Sequence, residues 1–131
     1  MASSAITLSL QTIVSRTLSP LESGVCSVTM INAGEAFNVI PDQVKLRGTI
    51  RALSTESLTK LREKVKVISQ NVAEAHGCSV NITFWKDYYP PTINDADLWD
   101  FVQSVAKPFS LNGEIEQVEA TMGAEGMYSL N

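Results

Sequence analysis

An α+β fold, with helices laid on a half-buried sheet, is what the sequence predicts, and three patterns lead there. Residues 44–52 alternate apolar and polar side chains through a whole strand length. Residues 58–75 repeat Leu58, Leu61, Val65, Ile68, Val72 and Ala75 at helical steps of three and four. Residues 2–16 place Ile6, Leu10, Ile13 and Val14 near one helical face.

The first helix stops before the Ser19-Pro20 turn signal. After Gly24, VCSVTMI is rich in β-branched residues and reads as a strand, broken by Asn32-Ala33-Gly34. The second strand, residues 43–53, sets Val44, Leu46, Ile50 and Ala52 on one face against Lys45, Arg47, Thr49 and Arg51 on the other. Ser54 is a suitable N-cap for the long helix, with Glu56 in its first turn, and Gly77 is its stop just after His76. CSVNITFW, residues 78–85, alternates again and predicts a third strand. Tyr89-Pro90-Pro91 is a stiff extended break, because a residue before proline is pushed out of the helical region. Asn94, Asp95 and Asp97 then resemble the cap and acidic first turn of another helix, with Leu98, Phe101, Val102 and Val105 as its apolar face and Pro108 as its end. EIEQVEATM, residues 114–122, is a possible last strand.

The order is helix, strand, strand, helix, strand, break, helix, possible strand. One more strand ahead of it would complete a β-α-β-β-α-β unit, so the expected architecture is a ferredoxin-like α/β sandwich lacking its first strand, with a C-terminal helix.

At 131 residues and 44% hydrophobic composition, the chain is long and apolar enough for a core without metal or disulfide staples. A net charge of −4 argues against binding nucleic acid through phosphate neutralisation. The opening MASSAITLSLQTIVSR has no basic residue before its apolar part and is interrupted by Gln11, so no signal peptide is expected; no membrane span is expected either, and a soluble protein of unspecified compartment follows. Cys26 and Cys78 sit in alternating apolar runs, as buried, inert thiols do.

Little catalytic chemistry is legible. There is one histidine, and His76 at a helix end is better read as a partner of the macrodipole than as a metal ligand. Nucleophile-elbow, P-loop and dinucleotide fingerprints are absent. Glu114, Glu116 and Glu119 read as a solvated face, and the Asn81-Ile82-Thr83 glycosylation pattern falls inside an expected strand. EAFNVIPDQVKLRGTIRALS, residues 35–54, offers two readings of its polar pair. Arg51 is suited to a bidentate grip on a carboxylate with the amide of Asn38 beside it. Alternatively Asn38 closes a turn, and Arg51 stands on a wet sheet face with Lys45 and Arg47.

EAFNVIPD, GTIRALS, YPPTIND and the terminal MGAE, in this order, resemble the metal-dependent amidohydrolases of the aminoacylase and carboxypeptidase type, in particular the plant auxin-conjugate (indole-3-acetyl-amino-acid) hydrolases and the hippurate hydrolases. The resemblance runs from SSAITLSLQTIVSR to MGAE. It implies a ferredoxin-like satellite domain that dimerises and lids an active site holding two divalent metal ions. Residues 1–89 would then be that satellite domain, incomplete, and 90–131 a return segment of a catalytic domain otherwise absent.

The same resemblance implies that Asn38 and Arg51 bind the carboxylate of an N-acyl amino acid, and that Gly123 and Glu125 belong to an active-site loop. Where such enzymes continue MGAE with Asp-Phe, this chain has Gly126-Met127, which puts the role of Glu125 in question. The family's metal ligands and general base belong to segments not found here, so no cofactor is expected in this chain and no catalysis by it alone. A homodimer or swapped oligomer is expected, the place of the first strand being taken by residues 114–122 or by a second copy. The competing expectations are a stand-alone carboxylate-binding module derived from the family, and a purely structural interaction protein.

Overall fold

A computed structural model describes residues 1–123, and Cα proximity divides the chain into two compact units, Met1–Tyr88 and Tyr89–Asn131. In the first unit, helix α1 (Ala2–Thr17) buries Ile6, Leu10 and Ile13, and Arg16 sits in its last turn, where the helix dipole favours a cation. Leu18 leaves the helix in extended conformation, φ −78° and ψ 148°, immediately before Ser19-Pro20.

Strands β1 (Gly24–Ala33) and β2 (Val44–Ala52) form a two-stranded antiparallel sheet. Its register runs Gly24↔Ala52 to Val28↔Gly48, then Met30↔Arg47 to Ala33↔Val44, so Thr29 is the extra residue of a bulge. Directly paired residues share a face. Cys26 and Val28, followed across the bulge by Ile31, therefore lie on the side of Ile50 and Leu46, while Val25, Ser27, Met30 and Asn32 lie on the side of Arg51, Thr49, Arg47 and Lys45. Gly48 faces β1 beside the bulge, and a Cβ there would run into the Ser27 carbonyl oxygen.

Helix α2 (Thr55–Ala75) starts as its sequence indicates: Ser54 Oγ accepts a hydrogen bond from the Ser57 N–H at 3.1 Å. It ends in a Schellman motif, in which the Gly77 N–H donates to the Glu74 carbonyl and the Cys78 N–H to the Ala73 carbonyl, both at 2.9 Å. Gly77 has φ +66°, a left-handed value that a residue with a Cβ adopts only with strain. Leu61 and Ile13 are fully buried at the centre of the core with Ile6, Leu10 and Ala73, and Cys26, Val28, Leu46 and Ile50 close it from the sheet.

Residues 78–85 do not form the expected third strand. The alternation is present, with Val80, Ile82 and Phe84 half-buried and Ser79, Asn81 and Thr83 exposed, but no ladder joins the segment to the sheet. In a split β-α-β-β-α-β sheet its neighbour is the strand ahead of α1, and among the described residues no such strand exists. Cys78 is accordingly exposed rather than buried: the Schellman turn leaves its Sγ 3.5 Å from the His76 carbonyl oxygen.

In the second unit, helix α3 (Ala96–Ala106) takes Asp95 as its N-cap, the carboxylate accepting from the Leu98 N–H at 2.9 Å, with Asp97 in the first turn. A 3₁₀ turn, Lys107–Phe109, carries Pro108 and finishes it. Residues 114–122 form no strand. Their apolar positions change parity midway, from Ile115 to Val118, Ala120 and Met122, so no register gives the segment one apolar face.

Candidate functional site

The connection between β1 and β2 is an exposed apolar tip. Gly34 turns the chain at φ +62°, the Val39 N–H donates to the Ala36 carbonyl at 3.4 Å, and Phe37 and Ile40 are wholly or almost wholly in solvent. Asn38 lies between them, exposed. The turn bond of this loop is thus made by backbone groups around Asn38.

Arg51 stands at the opposite end of the hairpin. It is exposed, paired in register with Val25, and shares the outer sheet face with Lys45, Arg47 and Thr49. It lies seven residues beyond Val44, about 23 Å at the rise of an antiparallel strand. Within one copy the hairpin therefore holds Asn38 and Arg51 apart rather than together. Gly123 is outside helix and strand, and Glu125 lies outside the described residues.

Among the described residues no group of three or more His, Cys, Asp and Glu side chains is placed to hold a metal ion. His76 is the C-cap residue of α2, its N–H donating to the Ala73 carbonyl. Burial pushes the Cys26 thiol above its ordinary range, so it is not a poised nucleophile.

Two arrangements were not foreseen. Glu22 ties the α1–β1 turn to the start of α2. Its carboxylate accepts from the Ser19 N–H at 2.9 Å, from Ser57 Oγ at 3.3 Å and from Lys60 Nζ at 3.2 Å. The Ser19 backbone bond and then Lys60 hold its carboxyl below the ordinary range. A signal was present in the spacing of Ser19 and Glu22, the capping-box pattern S-x-x-E, here used without a helix between them. The Arg62 guanidinium stacks between two rings, 4.6 Å from the Phe84 centroid and 4.9 Å from that of Tyr88, and so pins the strand-like segment to α2.

Residues 2–77 match the family described as peptidase dimerisation domain. The chain belongs to that family. An Arabidopsis thaliana protein named IAA-amino acid hydrolase ILR1-like 2 is 42% identical over 129 residues, covering 95% of this chain and 28% of its own length. N-acetyl-L-cysteine deacetylase of Bacillus subtilis is 32% identical over 127 residues, covering 97% of this chain and 30% of its own. The crystal structure of an aminohydrolase from methicillin-resistant Staphylococcus aureus superposes with a TM-score of 0.77 at 31% identity, over 92% of this chain and 31% of that one.

The expected resemblance to amidohydrolases is met by these relatives, and this chain spans roughly three tenths of their length. Among the described residues no helix is long and apolar enough to cross a membrane.

Proposed function

We propose that this chain is the dimerisation and substrate-lid region of an amidohydrolase that cleaves the amide bond of N-acyl amino acids, and that it performs no hydrolysis by itself. The observation that carries the reading is the uncharged outer edge of the hairpin in a chain of the dimerisation family. β1 pairs with β2 on one side only, and its outer-face residues Val25, Ser27, Met30 and Asn32 bear no charge. Two copies joined antiparallel through that edge continue the sheet without opposing like charges.

Edge pairing also answers the separation of the two polar residues. Antiparallel hairpins point their loops in opposite directions, so the Asn38 loop of one copy comes to the sheet end that carries the partner's Arg51. The lateral distance is then two or three strand spacings, about 10–14 Å, less than the span within one copy. At that end the guanidinium takes the substrate carboxylate in a bidentate pair and the Asn38 amide orients the adjoining polar group. Residues 90–131 serve as the return segment of a catalytic domain, with Gly123 and Glu125 near its active-site loop. The divalent ions of such an enzyme, which polarise the scissile carbonyl, belong to that domain.

Sedimentation equilibrium and calorimetry test this. The expected results are a two-copy species that Val25→Glu/Ser27→Glu dissociates, and binding of N-acetyl amino acids that Arg51→Ala abolishes. A strict monomer, or hydrolysis of an N-acyl amino acid by contaminant-free chain with added zinc or manganese, would overturn it.

A further inference from the structure

The irregularity at Thr29 restricts how two β1 edges can meet. The outer face of β1 carries Val25 and Ser27 before it, Met30 and Asn32 after it. Directly opposed residues share a face, so in an antiparallel pair of β1 strands outer residues must oppose outer ones. One alignment does this for all four positions, setting Val25 against the partner's Asn32 and Ser27 against the partner's Met30. A shift by two residues sets Ser27 against the partner's Val28, of the inner face, or Met30 against the partner's Thr29, in the bulge. Within each copy Lys45 is opposite Asn32 and Arg51 is opposite Val25. The alignment therefore lays Lys45, Asn32, the partner's Val25 and the partner's Arg51 in one row across four strands.

In that row Lys45 and the partner's Arg51 stand three strand spacings apart, about 14 Å at the backbone, whereas six residues along β2 separate Lys45 from Arg51 of its own copy, about 20 Å. Both side chains are long, with the charge at the tip, and can lean toward each other over the small row between them. No acidic residue stands on the outer face of either strand, and Lys45 is in no ion pair among the described residues.

We infer that Lys45 forms a second, cationic half of the carboxylate site, facing the other copy's Arg51, and that the preferred substrates are N-acyl amino acids with an acidic side chain. This rests on the edge-paired, carboxylate-binding reading above, and Lys45 comes from the same copy as the Asn38 loop that it follows in the chain. With the α-carboxylate on Arg51, a second carboxylate a few bonds away neutralises the facing ammonium. An aliphatic side chain leaves that charge unanswered, and a basic one opposes it. The two-fold axis gives two such sites, one at each end of the four-stranded sheet.

The test compares N-acetylglutamate with N-acetylglutamine, ligands of matching shape that differ by one charge, by titration calorimetry on the full chain. N-acetylglutamate is expected to bind about tenfold more tightly. Lys45→Gln is expected to bring the ratio to about one. Because the two cations come from different copies, Lys45→Gln and Arg51→Ala chains mixed in equal amounts are expected to regain the selective binding that each lacks alone, at about one site per four chains. No recovery on mixing, with both variants sedimenting as the two-copy species, would place the two side chains in one copy and sink the inference. Equal affinity of the native chain for the two ligands, abolished by Arg51→Ala, would end the inference and leave the carboxylate-binding reading standing. No binding of either ligand to the native chain would end both.

Discussion

Leu61 of α2 and Ile13 of α1 belong to one buried cluster, and neither exposes any surface. Truncating Leu61 removes the side chain that α1 and the sheet close upon, so Leu61→Ala is expected to cost about 2–5 kcal/mol in urea denaturation. Glu22 acts differently, as a charge placed at a junction. Its folded-state pKa lies below the unfolded one, so its stabilisation is complete above the ordinary carboxylate range and is lost as the pH falls through the lowered folded value. Glu22→Gln is therefore expected to flatten the decline in melting temperature between about pH 5 and pH 3. At this scale helical spacing, which is local, revealed Ile6, Leu10, Ile13, Leu58 and Leu61 as buried, but at the end of α2 it named Ala75, which is exposed, where Ala73 is the residue in the core. The Glu22 junction was hidden because its partners Ser57 and Lys60 are 35 and 38 positions away.

Helices α1, α2 and α3 and strand β2 were legible because each carries its own period and, for α2 and α3, its own cap, and strand β1 because it is rich in β-branched residues. Ser54→Ala is expected to lower stability by about 1 kcal/mol through loss of the α2 cap, read as a shift in the thermal midpoint. Gly48→Ala is expected to cost about 1–3 kcal/mol, because the clash is with backbone of the facing strand, which cannot rotate away. Residues 78–85 show what a local pattern leaves out. Alternation specifies which side chains turn inward, and the sequence had that right for Val80, Ile82 and Phe84. A ladder needs a neighbour, and the neighbour is not a property of the segment. Asn38 and Arg51 illustrate the same point for the site: thirteen positions apart in sequence, they are set at opposite ends of a hairpin by the strand that separates them.

For the molecule as a whole, the proposed pairing of copies is tested by how stability depends on concentration. Leu98, Phe101 and Val105 of α3 are half or more exposed, as are Met30 and Ile31 of β1 to about half their surface. A chain that folds as pairs is stabilised by mass action, so its melting temperature is expected to rise with protein concentration. The Val25→Glu/Ser27→Glu variant is expected to lose that dependence in scanning calorimetry. The family was legible in four short phrases, whereas the partner arrangement was not, since edges and their charges exist only once the hairpin has formed.

The bulge at Thr29 carries one more consequence. It works as a phase shifter between numbering and geometry: before it the even positions of β1 look toward the helices, and after it the odd ones do. Deleting that single threonine would leave Met30 and Asn32 on the outer face and Ile31 on the helix side in a now regular ladder, whereas keeping it in an unbulged strand would turn Met30 and Asn32 inward and Ile31 outward. Any engineering of this hairpin by strict odd–even design rules would therefore decorate the wrong surface beyond that position.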